Sequence, residues 1–324
     1  MALAYNDGVR GLLIAAVLAL RGVARGQAPA NQRPTPAGIA QMAESGHCRE
    51  ALPLLKTALA RTTEPVLRKR LGVDGVQCAM SEHDDDSAED FVRTLRKQFP
   101  HDSEVLYLTV HVFSDLSLRA SQELATSAPA SYQMHELNAE AMEAQGKPED
   151  AIGEYRETLK KEPKVHGIHY RIGRLLLSGP NRDANKEEAR REFEEELKVD
   201  PSSAASEYVL GELARQDQQT SVAAEHFERA TKLDHGFTDA FIGLGRTLIE
   251  GGRVPEAVAP LQTAAKLQPD NPAAHFYLAT AYQRSGRPED ASREFALQKQ
   301  ATEKVNRGRQ ETRAAEAGET AQPK

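Results

Sequence analysis

From residue 204 onwards the apolar and small residues follow two superimposed periods. Over a dozen residues they fall three or four apart, the spacing of one buried face of an α-helix. Over longer stretches the whole pattern returns every 34 residues, in segments 204–237, 238–271 and 272–305. Place seven of each segment holds Leu210, Leu244 and Leu278, and place eight holds Gly211, Gly245 and Ala279. Place twenty holds Ala223, Ala257 and Ala291, and place twenty-four holds Phe227, Leu261 and Phe295. Small residues at places eight and twenty allow two helices to cross closely, and the large residues fill the space beside them. Gly146 and Gly286 suit the left-handed turn that ends a first helix. The following Pro-Glu-Asp, at 148–150 and 288–290, suits the first turn of a second helix. Each segment therefore predicts a helix–turn–helix unit.

The pattern continues upstream with less regularity. Segment 132–165 keeps Ala139, Gly146, Ala151, Tyr155 and Pro163. Segment 166–203 keeps Ile172, Gly173, Ala189, Phe193 and Pro201, offset by a four-residue insertion around 178–183. Segment 69–100 matches through Ala88, Val92, Leu95 and Pro100. Segment 101–131 is degenerate, with Leu108, Ala120, Leu124 and Pro129 and a shortened turn. The first segment, about 34–68, keeps Gly46, Ala51, Leu55 and Ala58.

This pattern resembles the tetratricopeptide repeat, and three units in one 34-residue phase are a specific match. The resemblance covers roughly 34–305 and implies an all-α, right-handed α-solenoid of seven to eight helix–turn–helix units. No unit buries its apolar face alone, so such an array is stable only as a stack. In the family the first helix of each unit lines the concave side and receives a protein partner. On this chain the resemblance places Tyr170, Arg174, Tyr208, Glu212, Arg215, Ile242, Arg246, Phe276 and Thr280 on that side. An apolar stripe flanked by arginines suits an extended peptide or helix with acidic groups. The Lys and Asn set of the family's chaperone-tail clamp is missing, which disfavours a chaperone co-factor.

The N-terminus carries an expected targeting segment. Residues 11–20 form an apolar run behind Arg10, too short to span a bilayer comfortably and suited to a secretory signal. Ala28-Pro29-Ala30 offers a small-x-small cleavage site, so the mature chain is expected to begin at Asn31. Asp7 before the run, and Arg21 and Arg25 after it, fit less well and leave an uncleaved anchor or a misassigned start open. The chain thus reads as an exported bacterial protein, periplasmic or envelope-associated, with no integral span after cleavage. Residues 306–324 are polar and read as a disordered tail.

Composition narrows the function. The 41 basic and 48 acidic residues give a net charge of −7, which offers no general case for nucleic acid or an anionic membrane. No cofactor, metal site or catalytic set emerges. His135-Glu136 begins like a zinc-protease helix, but Ala139 stands where the second histidine is needed. His166 and His169 lie on one helix without an acidic or Cys ligand. His135, His169 and His275 share repeat place four and read as packing residues. His83-Asp84-Asp85-Asp86 reads as a helix cap. The resemblance places Cys48 and Cys78 near one end of neighbouring antiparallel helices. In an exported chain that implies a disulfide, two buried thiols being the alternative. The sequence thus points to a non-enzymatic, protein-binding scaffold of the envelope. An accessory subunit of an envelope or polysaccharide biosynthesis or secretion complex is the alternative.

Overall fold

The computed structural model describes residues 34–320 except residue 180. The signal-like run 11–20 and the Ala28-Pro29-Ala30 site lie outside the described residues. The described residues form fifteen helices and no strand. They divide into two compact units, Met1–Ser121 and Gln122–Lys324.

The first unit holds α1 (Pro36–Glu44), α2 (Cys48–Arg61), α3 (Pro65–Ser81), α4 (Asp85–Gln98) and most of α5 (Ser103–Ser127). Proline opens α1 and α3, while the Thr35, Glu64 and Asp84 side chains accept hydrogen bonds from free backbone N–H groups of the first turns of α1, α3 and α4. Leu55, Leu71, Phe91 and Leu95 form the centre of its core, each almost wholly buried. A side chain at Gly72 or Gly75 would collide with Leu95 or Phe91, so α3 and α4 meet only because these two positions are bare. The expected disulfide joins Cys48, first in α2, to Cys78 near the end of α3, with Cα atoms 4.8 Å apart.

Segment 101–131 departs from the expected helix–turn–helix. It folds as the single 25-residue helix α5, and the supposed turn is its middle. Residues 113–118 contain no glycine or proline to stop a helix, and Asp115 pairs with Arg119 one turn on at 3.0 Å. Val105 and Val112 seat α5 on the first unit. Lys69 pairs with Asp102 at 2.7 Å, just before the helix, and Arg119 of α5 pairs with Asp85 at 2.6 Å.

The second unit contains five helix pairs. They are α6 (Tyr132–Ala144) with α7 (Pro148–Lys161), α8 (Ile168–Ser178) with α9 (Lys186–Val199), and α10 (Ala204–Gln216) with α11 (Thr220–Leu233). α12 (Thr238–Glu250) with α13 (Val254–Leu267), and α14 (Pro272–Arg284) with α15 (Pro288–Thr320), complete the set. Gly146, Gly252 and Gly286 take left-handed backbone at place fifteen, as the turn requires. His83 and Gln218 occupy the same turn without being glycine, at φ 57° and 60°. The segment after residue 305 is not an irregular tail, since α15 runs on to Thr320. Its side chains from Asn306 to Ala314 are all exposed, so the helix continues without a packing partner there.

One buried carboxylate replaces the usual small residue of the repeat. Glu196 of α9 stands, after allowing for the insertion, where Ala230 and Ala264 stand in later pairs. It is almost fully buried and accepts hydrogen bonds from the Gly167 and Tyr170 backbone N–H groups at 2.7 and 3.1 Å. Helix α8 has no side-chain cap of its own, and Glu196 supplies one from the neighbouring helix.

Candidate protein-binding face

The first helices α6, α8, α10, α12 and α14 carry the residues that the repeat register assigns to binding. Helices α10 and α12 touch, as do α12 and α14, so equivalent side chains stand beside one another along the row. Place five varies in depth from pair to pair. Tyr170 is half-buried, its ring edge-on to Phe193 with centroids 5.6 Å apart. Tyr208 is wedged between Phe227 and Phe237, at 5.7 and 4.9 Å, and burial pushes its hydroxyl up to about 12. Ile242 is buried. Phe276 stays 46% exposed, with Tyr277 and Phe295 behind it at 5.2 and 6.4 Å. Tyr208 and Ile242 therefore serve the packing, and the accessible apolar contact narrows to Phe276 and the free edge of Tyr170.

The arginines are not idle donors awaiting a ligand. Arg174 pairs with Glu143 of α6, and Arg171 pairs with Glu140 at 3.0 Å while donating to the Tyr155 hydroxyl at 3.0 Å. Arg215 pairs with Glu212 at 2.7 Å and approaches Glu250 of α12 at 3.9 Å. Arg246 donates to the same Glu250 at 2.8 Å and lies over the Tyr277 ring at 5.7 Å. The result is a row of alternating charge that ties neighbouring first helices together. An acidic partner group must compete with Glu143 or Glu250 for these guanidinium forks. Glu136, at the α6 end, has no ion-pair partner among the described residues. Burial, reinforced by Glu140, raises its carboxyl above the usual range. Thr280 returns its hydroxyl to the Phe276 carbonyl at 2.8 Å and is half-buried.

The histidines do more than fill space. His135, His169 and His275 each hold a glutamate of the second helix in their own pair, Glu154, Glu192 and Glu294, at 2.6–2.7 Å. The α10/α11 pair uses the same two places in reverse, with Glu207 on the first helix and His226 on the second at 2.6 Å. In α12/α13 the places hold Phe241 and Pro260, which are apolar. A His and a Glu nineteen residues apart, or twenty-three across the insertion, was the signal in the sequence. Among the described residues no group of three or more His, Cys, Asp or Glu side chains is placed to hold a metal ion.

Comparison with known proteins bears on the same segment. A tetratricopeptide repeat model matches residues 136–185 and 182–236, and a TPR repeat model matches 245–286. No curated protein matches the chain. Similar solved structures include one titled "Crystal structure of MamA", at 20% identity, covering 52% of this chain and 96% of that one, with a TM-score of 0.47. Another, YrrB, described as a TPR protein with an unusual peptide-binding site, is 19% identical over 56% of this chain and 92% of its own, with a TM-score of 0.48. MamA residues 41 to the end from Desulfovibrio magneticus RS-1 is 18% identical over 53% and 96%, with a TM-score of 0.47. The matched models, the 34-residue phase and the succession of helix pairs identify residues 136–236 and 245–286 as tetratricopeptide repeats, a fold of the protein-binding scaffold class.

Proposed function

We propose that the chain is an exported, non-enzymatic scaffold of the cell envelope, holding another protein against the first-helix face of its second unit. The observation that carries this reading is Phe276. It is a large aromatic side chain left exposed on a rigid helix, backed by two further rings, at a place where Tyr208 and Ile242 are sunk into the packing. A ring held in this way loses little entropy on binding, which suits an anchor for an extended peptide or a helix. The charged row beside it favours partners whose own charges replace Glu143 or Glu250 without loss. Export is supported by the apolar run 11–20, by Ala28-Pro29-Ala30 and by the Cys48–Cys78 disulfide, a bond typical of oxidising compartments. No helix among the described residues is long and apolar enough to cross a membrane.

Capture of a partner from the native host tests the site. Phe276→Ala combined with Arg174→Ala is expected to weaken capture by about thirtyfold or more, each anchor contributing about 1–2 kcal/mol. Helicity and melting temperature should stay near the native values, since both side chains are exposed. Tyr208→Ala should instead lower the melting temperature. The control is Glu228→Ala with Lys232→Ala, an ion pair on α11 away from the first-helix face. If the control weakens capture as much as the Phe276 and Arg174 pair, this face is not the binding surface.

A further inference from the structure

Helix α5 turns a face without charge to the solvent. At 100° per residue, Leu106, Tyr107, Val110, Phe113, Ser114, Ser117 and Ser121 fall within one arc of about 120° that leaves out Val105 and Val112. Leu106, Tyr107, Val110, Phe113 and the flanking Leu118 are all exposed, Val110 by 63%. A shallow groove runs along this face, lined by Val110, Phe113, Ser114, Ser117, Leu118 and Ser121. A contiguous apolar face of this kind on a soluble unit marks an interaction surface.

The order of residues along the face indicates what covers it. Its N-terminal half presents large side chains, Leu106, Tyr107, Val110 and Phe113. Its C-terminal half presents small ones, Ser114, Ser117 and Ser121, with Leu118 at the flank. Laid antiparallel on a second α5, with the two-fold axis between residues 113 and 114, three of the four large residues meet a serine. Leu106 faces Ser121 of the other copy, Val110 faces Ser117 and Phe113 faces Ser114, while Tyr107 lies at the edge of the contact. Large-into-small interdigitation is what lets two helices approach closely. The same rule operates inside the repeat pairs, where Phe227 sits over Gly211 and Leu261 over Gly245. Segment 101–131 has lost its own second helix, so α5 lacks the partner that the other first helices possess.

We infer that α5 is a self-association surface, pairing antiparallel with α5 of a second copy of this chain. The face extends over about 22 Å of helix. Covering it on both copies would remove on the order of 1,000 Å² from water, the lower end of what a specific interface needs. That area fits a reversible dimer rather than an obligate one. Lysine and arginine are absent from the face, which separates it from the basic amphipathic helices that lie on membranes.

Sedimentation velocity of the full-length chain, over about 1–200 µM, tests the inference. The expected result is a monomer–dimer equilibrium within that range, with Val110→Glu shifting the chain to monomer. Because Val110 is exposed, the variant should keep native helicity and melting behaviour. A second measurement fixes the geometry. Val110→Cys protein mixed with Ser117→Cys protein should form a mixed disulfide dimer under mild oxidation, at a higher yield than Val110→Cys mixed with Glu228→Cys. A native chain that stays monomeric throughout, a Val110→Glu variant that dimerises like the native chain, or equal cross-linking yields would each overturn the inference.

Discussion

Phe227→Ala is expected to destabilise the second unit by about 3–5 kcal/mol, the range for emptying a fully buried aromatic site. Phe227 is completely buried and fills the space between two helices of successive pairs. A Cβ atom added at Gly211 of α10 would lie 2.9 Å from its ring, and one at Gly243 of α12 would lie 2.6 Å from it. Both glycines are bare because the ring is there, and neither helix can move into the cavity without losing its other contacts. Since each pair is held only by its neighbours, the loss should appear as earlier unfolding of the helices from α10 onwards in denaturant. Phe227→Leu provides the internal comparison, because Leu261 occupies the same place over Gly245 in the next pair. It should cost less than about 1.5 kcal/mol, as volume-conserving core changes do. A loss below about 1 kcal/mol for Phe227→Ala would mean that the α10–α12 contact is not organised around this ring.

Asp74→Asn is expected to stabilise the first unit at pH 7.5, by up to about 3 kcal/mol, and to lose that advantage in acid. Asp74 lies on α3, almost fully buried, and its Oδ2 has no hydrogen-bond partner. Burial first, and Glu44 second, push its carboxyl up to about 6 against an ordinary 3.8, with Arg70 opposing. The folded chain therefore binds this proton more tightly than the unfolded chain does. The favourable contribution of the protonated form is complete below the ordinary value and is lost as pH rises through about 6. Above that pH the native state carries a buried, unpaired charge that asparagine would not. Denaturation of the native and Asn chains at pH 7.5 and 4 measures the difference directly. An Asn variant that is no more stable at pH 7.5 than at pH 4, relative to the native chain, would rule out a strained carboxylate there.

The helix pairs of 132–305 were legible because the 34-residue phase fixes where helices start, cross and end. The Cys48–Cys78 bond was legible through the resemblance, which sets the two helices side by side. The continuity of α5 was not, because a degenerate register suggests two helices where no residue actually breaks one. Periodicity also assigns a face without assigning depth: Tyr208, Ile242 and Phe276 share a place, yet only Phe276 is exposed. Arginine pairing was hidden for a different reason. Glu143 lies 31 residues before Arg174, and Glu250 lies 35 after Arg215, so the partners belong to neighbouring units. His83 and Gln218 show that a turn can impose left-handed backbone where the sequence supplies no glycine.

We propose above that the first-helix face of the second unit holds another protein in the envelope. Site-specific photo-cross-linking in the native host tests this, with a reactive side chain placed at residue 276 or, as the control, at residue 228 of α11. A discrete cross-linked protein is expected from position 276, recovered from the envelope fraction and absent from position 228. Equal cross-linking from both positions, or none from 276, would contradict it.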